Sequence, residues 1–234
     1  MSYFDDKMGD WAKILSPILN SAGFNSLGIT VQAEGKKYGL SPQFDDVFNA
    51  FKATQYKDLR VIILGQDPYP DPKAATGIAF ANPDDNMLYK PSLEAIIKEL
   101  QDDLDDLYID IDPTLKGWTD QGVLLLNTSL TCRPGRPGSH SELWKPFIEA
   151  VIDTIVVQQG RTEIPILAMG KQAQKFVAKY DGLFGQNPMK FIAHPAVASY
   201  GGKGFFGTKP FSWINAVLHM TETPEIDWTA IKNG

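Results

Sequence analysis

Four short stretches of this chain end in residues that can do chemistry. They are Gly65-Gln66-Asp67-Pro68-Tyr69-Pro70, Asn127-Thr128, Met169-Gly170-Lys171 and His194-Pro195. Asp67 is a carboxylate that the following proline locks into a rigid turn. Such a group either caps its own turn, the usual fate of Asp-Pro, or is held at a pocket edge to orient water or balance positive charge. Asn127 closes an apolar run, where an amide without partners costs roughly 1–3 kcal/mol. It can satisfy neighbouring backbone or read a ligand's paired donor and acceptor, and taken alone the two readings stand even. His194 by itself suits a satisfied core histidine. Tyr69, Phe80 and Trp118 suit core aromatics. Only their placement together raises a functional reading.

The elements that must place them are legible in the apolar pattern. Val61-Ile62-Ile63-Leu64, Val123-Leu124-Leu125-Leu126, Ile164-Pro165-Ile166-Leu167-Ala168 and Lys190-Phe191-Ile192-Ala193 read as strands buried on both faces. Leu93, Ile96, Ile97, Leu100 and Leu104 recur at helical spacing, with Ser92 as the expected N-cap and Glu94 in the first turn. Further helices are expected over 143–158, 171–180 and 210–219. Strands alternating with helices make a parallel sheet in an α/β fold, whose ligands bind beyond the carboxyl ends of the strands. The acid, the amide, the Gly-Lys turn and the histidine then converge on one rim.

Composition sets the outer limits. The 234 residues, 43% hydrophobic, carry no linker, repeat or biased tract, so residues 1–234 are read as one domain. No apolar stretch approaches the ~18 residues of a membrane span. The acidic start, Met1 to Asp6, fits neither a signal nor a transit peptide, so the expected place is the cytoplasm, bacterial or of a virus-infected host. One cysteine and three histidines exclude an internal disulfide and a cysteine-based metal site, and no metal or cofactor is expected. The net charge of −6 argues weakly against nucleic acid, but it is unevenly spread. Residues 1–120 hold 11 basic and 20 acidic side chains, whereas residues 121–234 hold 11 and 8. The run Asp102, Asp103, Asp105, Asp106, Asp110 and Asp112 reads as a solvated helix end. A basic face in the second half remains available for phosphate.

Two patterns mislead. Gly202-Lys203-Gly204-Phe205-Phe206-Gly207 has the dinucleotide-binding form, but it lies about eight residues past its strand and its phenylalanines would crowd a pyrophosphate. A glycine-rich loop before a helix explains it better. Gly170-Lys171 lacks the upstream glycine and the hydroxyl residue of a nucleotide phosphate loop.

The motifs together resemble one family. Val61 through Tyr69 is similar to the water-activating loop of family-1 uracil-DNA glycosylases, and the likeness continues through Thr76-Gly77-Ile78-Ala79-Phe80. Lys90-Pro91-Ser92-Leu93 resembles the family's proline-rich segment, and Leu115 through Asn127 its uracil-reading strand with the approach to it. Ala168-Met169-Gly170-Lys171 stands where the Gly-Ser loop is expected. His194-Pro195, followed by Gly204-Phe205-Phe206-Gly207, resembles the DNA-intercalating loop, and Asp46-Val47-Phe48-Asn49-Ala50-Phe51 also fits. The likeness spans roughly residues 40–220, in order and spacing. It implies a single domain with a central four-stranded parallel sheet flanked by helices, acting as a monomer on uracil in single- or double-stranded DNA. It also implies release of uracil for base-excision repair and sensitivity to a proteinaceous uracil-glycosylase inhibitor.

Carried over residue by residue, the resemblance makes Asp67 and His194 catalytic. Gln66, Tyr69, Phe80 and Asn127 become the substrate-binding residues. Phe80 would stack on a flipped uracil, Asn127 would read its N3–H and O4, and Tyr69 would exclude a 5-methyl group. Neutral His194 would donate to O2, and ionised Asp67 would stabilise the cationic sugar and position water. Pro91, Ser92, Gly170, Lys171, Ala198, Ser199 and Tyr200 would contact DNA. The chain departs from the pattern in three places, and so reads as a divergent member. Pro70 replaces a histidine, a change some viral relatives share. Gly170-Lys171 replaces Gly-Ser. The loop from His194 puts Ala198 where a leucine wedge is usual, with Val197 or Tyr200 as alternative wedges. That remodelled loop leaves a DNA-binding scaffold with weak turnover as the alternative function.

Overall fold

The structure, a computed structural model, describes residues 3–83, 90–158, 160–161, 163–180 and 188–230; Met1 and Ser2 of the acidic start lie outside them. Strands β1 (Val61–Gly65), β2 (Val123–Asn127), β3 (Ile166–Met169) and β4 (Met189–Ile192) form one parallel sheet in the order β2-β1-β3-β4. The expected strands are present, with two differences. β3 begins at Ile166 because Pro165 has no N–H for the ladder; its carbonyl instead accepts from Ile62 N–H at 3.0 Å. β4 pairs only with β3, so it is an edge strand, not one buried on both faces, and Phe191 is 40% exposed.

Alternation along the strands splits the core into two layers. Ile62, Leu64, Leu124, Leu126, Ile166 and Ala168 face one way. They pack on α1 (Tyr3–Met8), α2 (Trp11–Ile14), α3 (Ser16–Leu19), α4 (Ala22–Tyr38), α5 (Asn49–Ala53) and two later helices, α8 (Ser141–Asp153) and α9 (Lys171–Val177). Val61, Ile63, Val123, Leu125 and Leu167 face the other way. They pack on α6 (Pro91–Leu104), α7 (Lys116–Thr119), α10 (Pro195–Ser199) and α11 (Pro210–Met220). Among the described residues no helix is long and apolar enough to cross a membrane.

Two local expectations about α6 need correction. Its N-cap is Lys90, not Ser92, because Pro91 at the first helical position fixes the start two residues earlier. Nor is the acidic run uniformly solvated. Glu99 and Asp103 lie one turn apart on the face turned to α11, and both are buried. Glu99 accepts from the N–H groups of Gly207 and Lys209, at 2.7 and 2.8 Å. Asp103 accepts from Phe211 and Ser212 N–H at 2.8 and 3.0 Å, so it caps the positive end of α11. Asp112 is buried as well and accepts from Thr114 N–H. The Gly202–Gly207 stretch is thus a loop clamped by α6 ahead of a helix, with Phe205 in the core.

The candidate active site

In a parallel sheet every strand delivers its carboxyl end to the same rim. β1 is central, with β2 on one side and β3 on the other, so the chain reverses its direction of winding there. Crevices form at such points. A cavity of about 480 Å³ opens over β1, lined by Gln66, Asp67, Tyr69, Phe80, Asn127 and His194, with Pro91, Ser92, Val197 and Tyr200 at its wall.

The sheet register explains why Gly65 ends β1. It pairs with Asn127, and a Cβ at Gly65 would lie 2.5 Å from Asn127 Oδ1 and 3.0 Å from Phe80 Cζ. The missing side chain is what lets the amide and the ring approach each other. Among the described residues no protein group hydrogen-bonds the Asn127 amide, although the residue is buried. An amide left unpaired at a cavity wall is available to a ligand.

Phe80 has φ +67°, a left-handed conformation that a non-glycine residue adopts at a cost of order 1–3 kcal/mol. Two contacts hold it there. The Tyr69 hydroxyl donates to the Phe80 carbonyl at 3.1 Å, and Asn49 Nδ2 donates to the Thr76 carbonyl at 2.8 Å. The first bond also fixes the Tyr69 ring, whose hydroxyl burial keeps protonated. The second accounts for the Asp46–Phe51 stretch as a scaffold for the loop that carries Phe80.

His194 stands 5.9 Å from Phe80, ring centre to ring centre. Its Nδ1 accepts from Ala196 N–H at 3.1 Å, so in the neutral ring the proton resides on Nε2. Burial pushes the imidazole below its usual range, which keeps that neutral donor in place. Gly170 (φ +94°) lies behind it, where a Cβ would come within 3.0 Å of His194 Cβ. Asp67 is the opposite case. Its carboxylate oxygens are buried and, among the described residues, accept no hydrogen bond of ordinary geometry. Burial therefore raises its pKa above the usual carboxylate range, partly offset by the Gln66 side chain, the Gly138 N–H and the Ser141 hydroxyl nearby. The sequence reading missed Gly138 and Ser141. Ser141 opens the helical pattern of α8, and no local signal ties it to Asp67.

The expected DNA contacts are only partly gathered. Ser92 and Pro91 line the cavity, and Tyr200 stands at its edge, 85% exposed. Lys171 is exposed and outside the cavity wall. The Ser199 hydroxyl is already spent on the Pro91 carbonyl, at 2.9 Å, tying α10 to α6. Ala198, which stands at the wedge position of the motif, does not project from its loop. It is 8% exposed and turned into the core layer with α6, because the short helix α10 puts its small side chain on the packed face.

One cavity thus gathers an aromatic ring, an unpaired amide, a neutral imidazole donor and a buried carboxylate, a set that suits a hydrolase acting on a planar heterocycle. The chain belongs to the uracil DNA glycosylase superfamily, whose family model matches residues 51–220. It is 37% identical over 226 residues to the uracil-DNA glycosylase of Lysinibacillus sphaericus, covering 94% of this chain and 96% of that protein. It is 38% identical over 221 residues to that of Anoxybacillus flavithermus, covering 94% and 95%. Among solved structures, mimivirus uracil-DNA glycosylase superposes with a TM-score of 0.83 at 21% identity, covering 97% of this chain and 93% of that one. A mimivirus UNG Y322L chain in complex with UGI gives the same TM-score at 22% identity, covering 94% and 87%.

Proposed function

We propose that this protein hydrolyses the N-glycosidic bond of deoxyuridine in DNA, releasing uracil and leaving an abasic site. The observation that carries the reading is the unpaired Asn127 amide in the same cavity as Phe80, Tyr69, His194 and Asp67. Uracil presents N3–H and O4 side by side. The amide oxygen accepts from the first and the NH₂ donates to the second. Cytosine reverses both, leaving buried polar groups mispaired, a penalty large enough for strong discrimination. The Phe80 ring supplies the stacking face. Tyr69, held by its bond to the Phe80 carbonyl, fills the space a 5-methyl group would need.

Bond cleavage puts negative charge on the base and positive charge on the sugar. His194 Nε2–H, oriented by the Nδ1 bond, donates to O2 as that charge grows. Ionised Asp67 faces the cationic sugar and orients the attacking water. Each developing charge has a partner among these side chains, so the proposal calls for no cofactor. The base reaches the slot by rotating out of the helix, and the protein acts as a cytoplasmic monomer open to a proteinaceous inhibitor.

The exposed Tyr200, with Val197, is assigned to fill the gap that the flipped base leaves, since Ala198 is turned inward. Tyr200→Ala should slow cleavage of uracil paired with adenine by about tenfold or more, while sparing single strands, whose base is already unstacked. Ala198→Leu should destabilise the fold by overpacking, by about 1–3 kcal/mol, without raising the duplex rate. Single-turnover rates on matched single- and double-stranded oligonucleotides check both. The same assay tests the function itself. Free uracil released from the wild type supports it, and DNA binding without release would leave a scaffold protein in its place.

A further inference from the structure

Helix α4 precedes the matched segment, yet its Glu34 bonds to the chain that follows β2. Arg133 Nε–H donates to Glu34 Oε2 at 2.6 Å, and His140 Nε2 faces the same oxygen at 3.3 Å. His140 is 1% exposed. Its other nitrogen lies 2.9 Å from Thr131 Oγ1, which accepts from Trp144 Nε1–H at 2.7 Å. A carboxylate only accepts, so His140 Nε2 carries the proton and Nδ1 of the neutral ring takes the Thr131 hydroxyl hydrogen. The chain of bonds closes from Trp144 through Thr131 and His140 to Glu34, with Arg133 arriving from the other side.

What this clamps is the segment wrapped round Asp67. Ser129 N–H donates to the Gln66 carbonyl at 3.0 Å, and Gly135 N–H to the Pro70 carbonyl at 2.8 Å. Gly138 and Ser141, which with the Gln66 side chain lie beside the Asp67 carboxylate, stand two residues before and one after His140, the residue from which α8 starts. We propose that Glu34 is a positioning residue of the reaction: by holding Arg133 and His140 it keeps the Gly138 N–H, the Ser141 hydroxyl and the start of α8 against the Asp67 carboxylate. The inference rests on the assignment of Asp67 as the group that works ionised.

The test separates positioning from mere anchoring of α4. Four proteins are compared on a single-stranded uracil oligonucleotide across pH, at a temperature where circular dichroism finds each one folded: wild type, Glu34→Ala, Glu34→Gln and Val31→Ala. Val31 is the buried core residue of the same helix and makes none of the hydrogen bonds of the clamp. Glu34→Ala should lower kcat about 10–100-fold with KM within about threefold, because displaced donors misplace the carboxylate without touching the DNA grip. It should also move the acidic limb of kcat to higher pH, since the Gly138 N–H and the Ser141 hydroxyl beside the carboxylate offset part of the cost of its burial. The other titratable groups around Asp67 are His140 and Cys132 on the wrapped segment, with Tyr69 and His194 across the cavity. Burial holds both histidines toward their neutral form and pushes the Cys132 thiol up to about 12.

Glu34→Gln keeps an accepting oxygen and should recover most of kcat. Val31→Ala should lower Tm and leave both kcat and the limb in place. If Glu34→Ala does not fold, Glu34→Asp, one methylene short of its partners, takes its place with the same expected direction. Wild-type kcat and limb in the folded Glu34 variants, or the same losses in Val31→Ala, would overturn the proposal. An inactive wild type would overturn the uracil-excision reading beneath it, and the two failures are distinguishable.

Discussion

Asp67→Asn should cut the single-turnover rate of uracil release by about 10²–10³-fold, the usual worth of one preorganised electrostatic contact to a developing charge, ~2.7–4 kcal/mol. Affinity for uracil-containing DNA should change little, because the amide matches the carboxylate in volume and the DNA grip lies elsewhere. The wild-type rate should also fall on acidification. Burial raises the Asp67 pKa, so the carboxylate is lost at a higher pH than an exposed one would be. His194 moves the opposite way and stays neutral further into acid than an exposed imidazole, so loss of that donor intrudes less on the Asp67 limb. In Asp67→Asn that limb should vanish along with most of the rate. Stopped-time uracil release from pH 4 to 9 (about the range where both groups titrate) measures all of this. An unchanged rate in the variant would remove Asp67 from the chemistry.

Asn127→Ala is the second large effect. Two hydrogen bonds to a buried base are lost, each worth about 1–3 kcal/mol when its partner is left unpaired, so kcat/KM for uracil should fall about 10²–10⁴-fold. Its neighbour Tyr69 acts by shape. Tyr69→Ala opens the slot beside Phe80 and should give measurable release of thymine, where the wild type gives none. It also leaves the Phe80 carbonyl without the hydroxyl that holds it, so some loss on uracil should accompany the gain. Product analysis on oligonucleotides that differ only in uracil, cytosine or thymine reads both variants. Wild-type rate and preference in Asn127→Ala would refute the amide reading.

What the sequence made legible was what is local. The strands of β1 and β2 are unbroken apolar runs, α6 carries a stripe at helical spacing, and the rim residues follow their strands directly. α4 was not visible because it has no stripe to read: along 17 residues only Val31 is buried. Asp103 read as solvent-facing because its partners lie 108 and 109 residues away. The Glu34 pairs span 99 and 106 residues and are invisible for the same reason. The inward turn of Ala198 was not legible because alignment to a motif assigns a position and says nothing of which way a short helix turns it.

The strand order also bears on synthesis. β1, the centre of the sheet, is made before either neighbour: β2 follows about 60 residues later and β3 about 100. At about 5–20 residues per second, the apolar strand waits roughly 3–12 s for its first partner, with both edges bare. The five helices upstream of β1 are complete by then, and they supply much of the layer that packs on Ile62 and Leu64. They can shield one face of the nascent strand, so the amino-terminal quarter of the chain doubles as a built-in cover against aggregation on the ribosome.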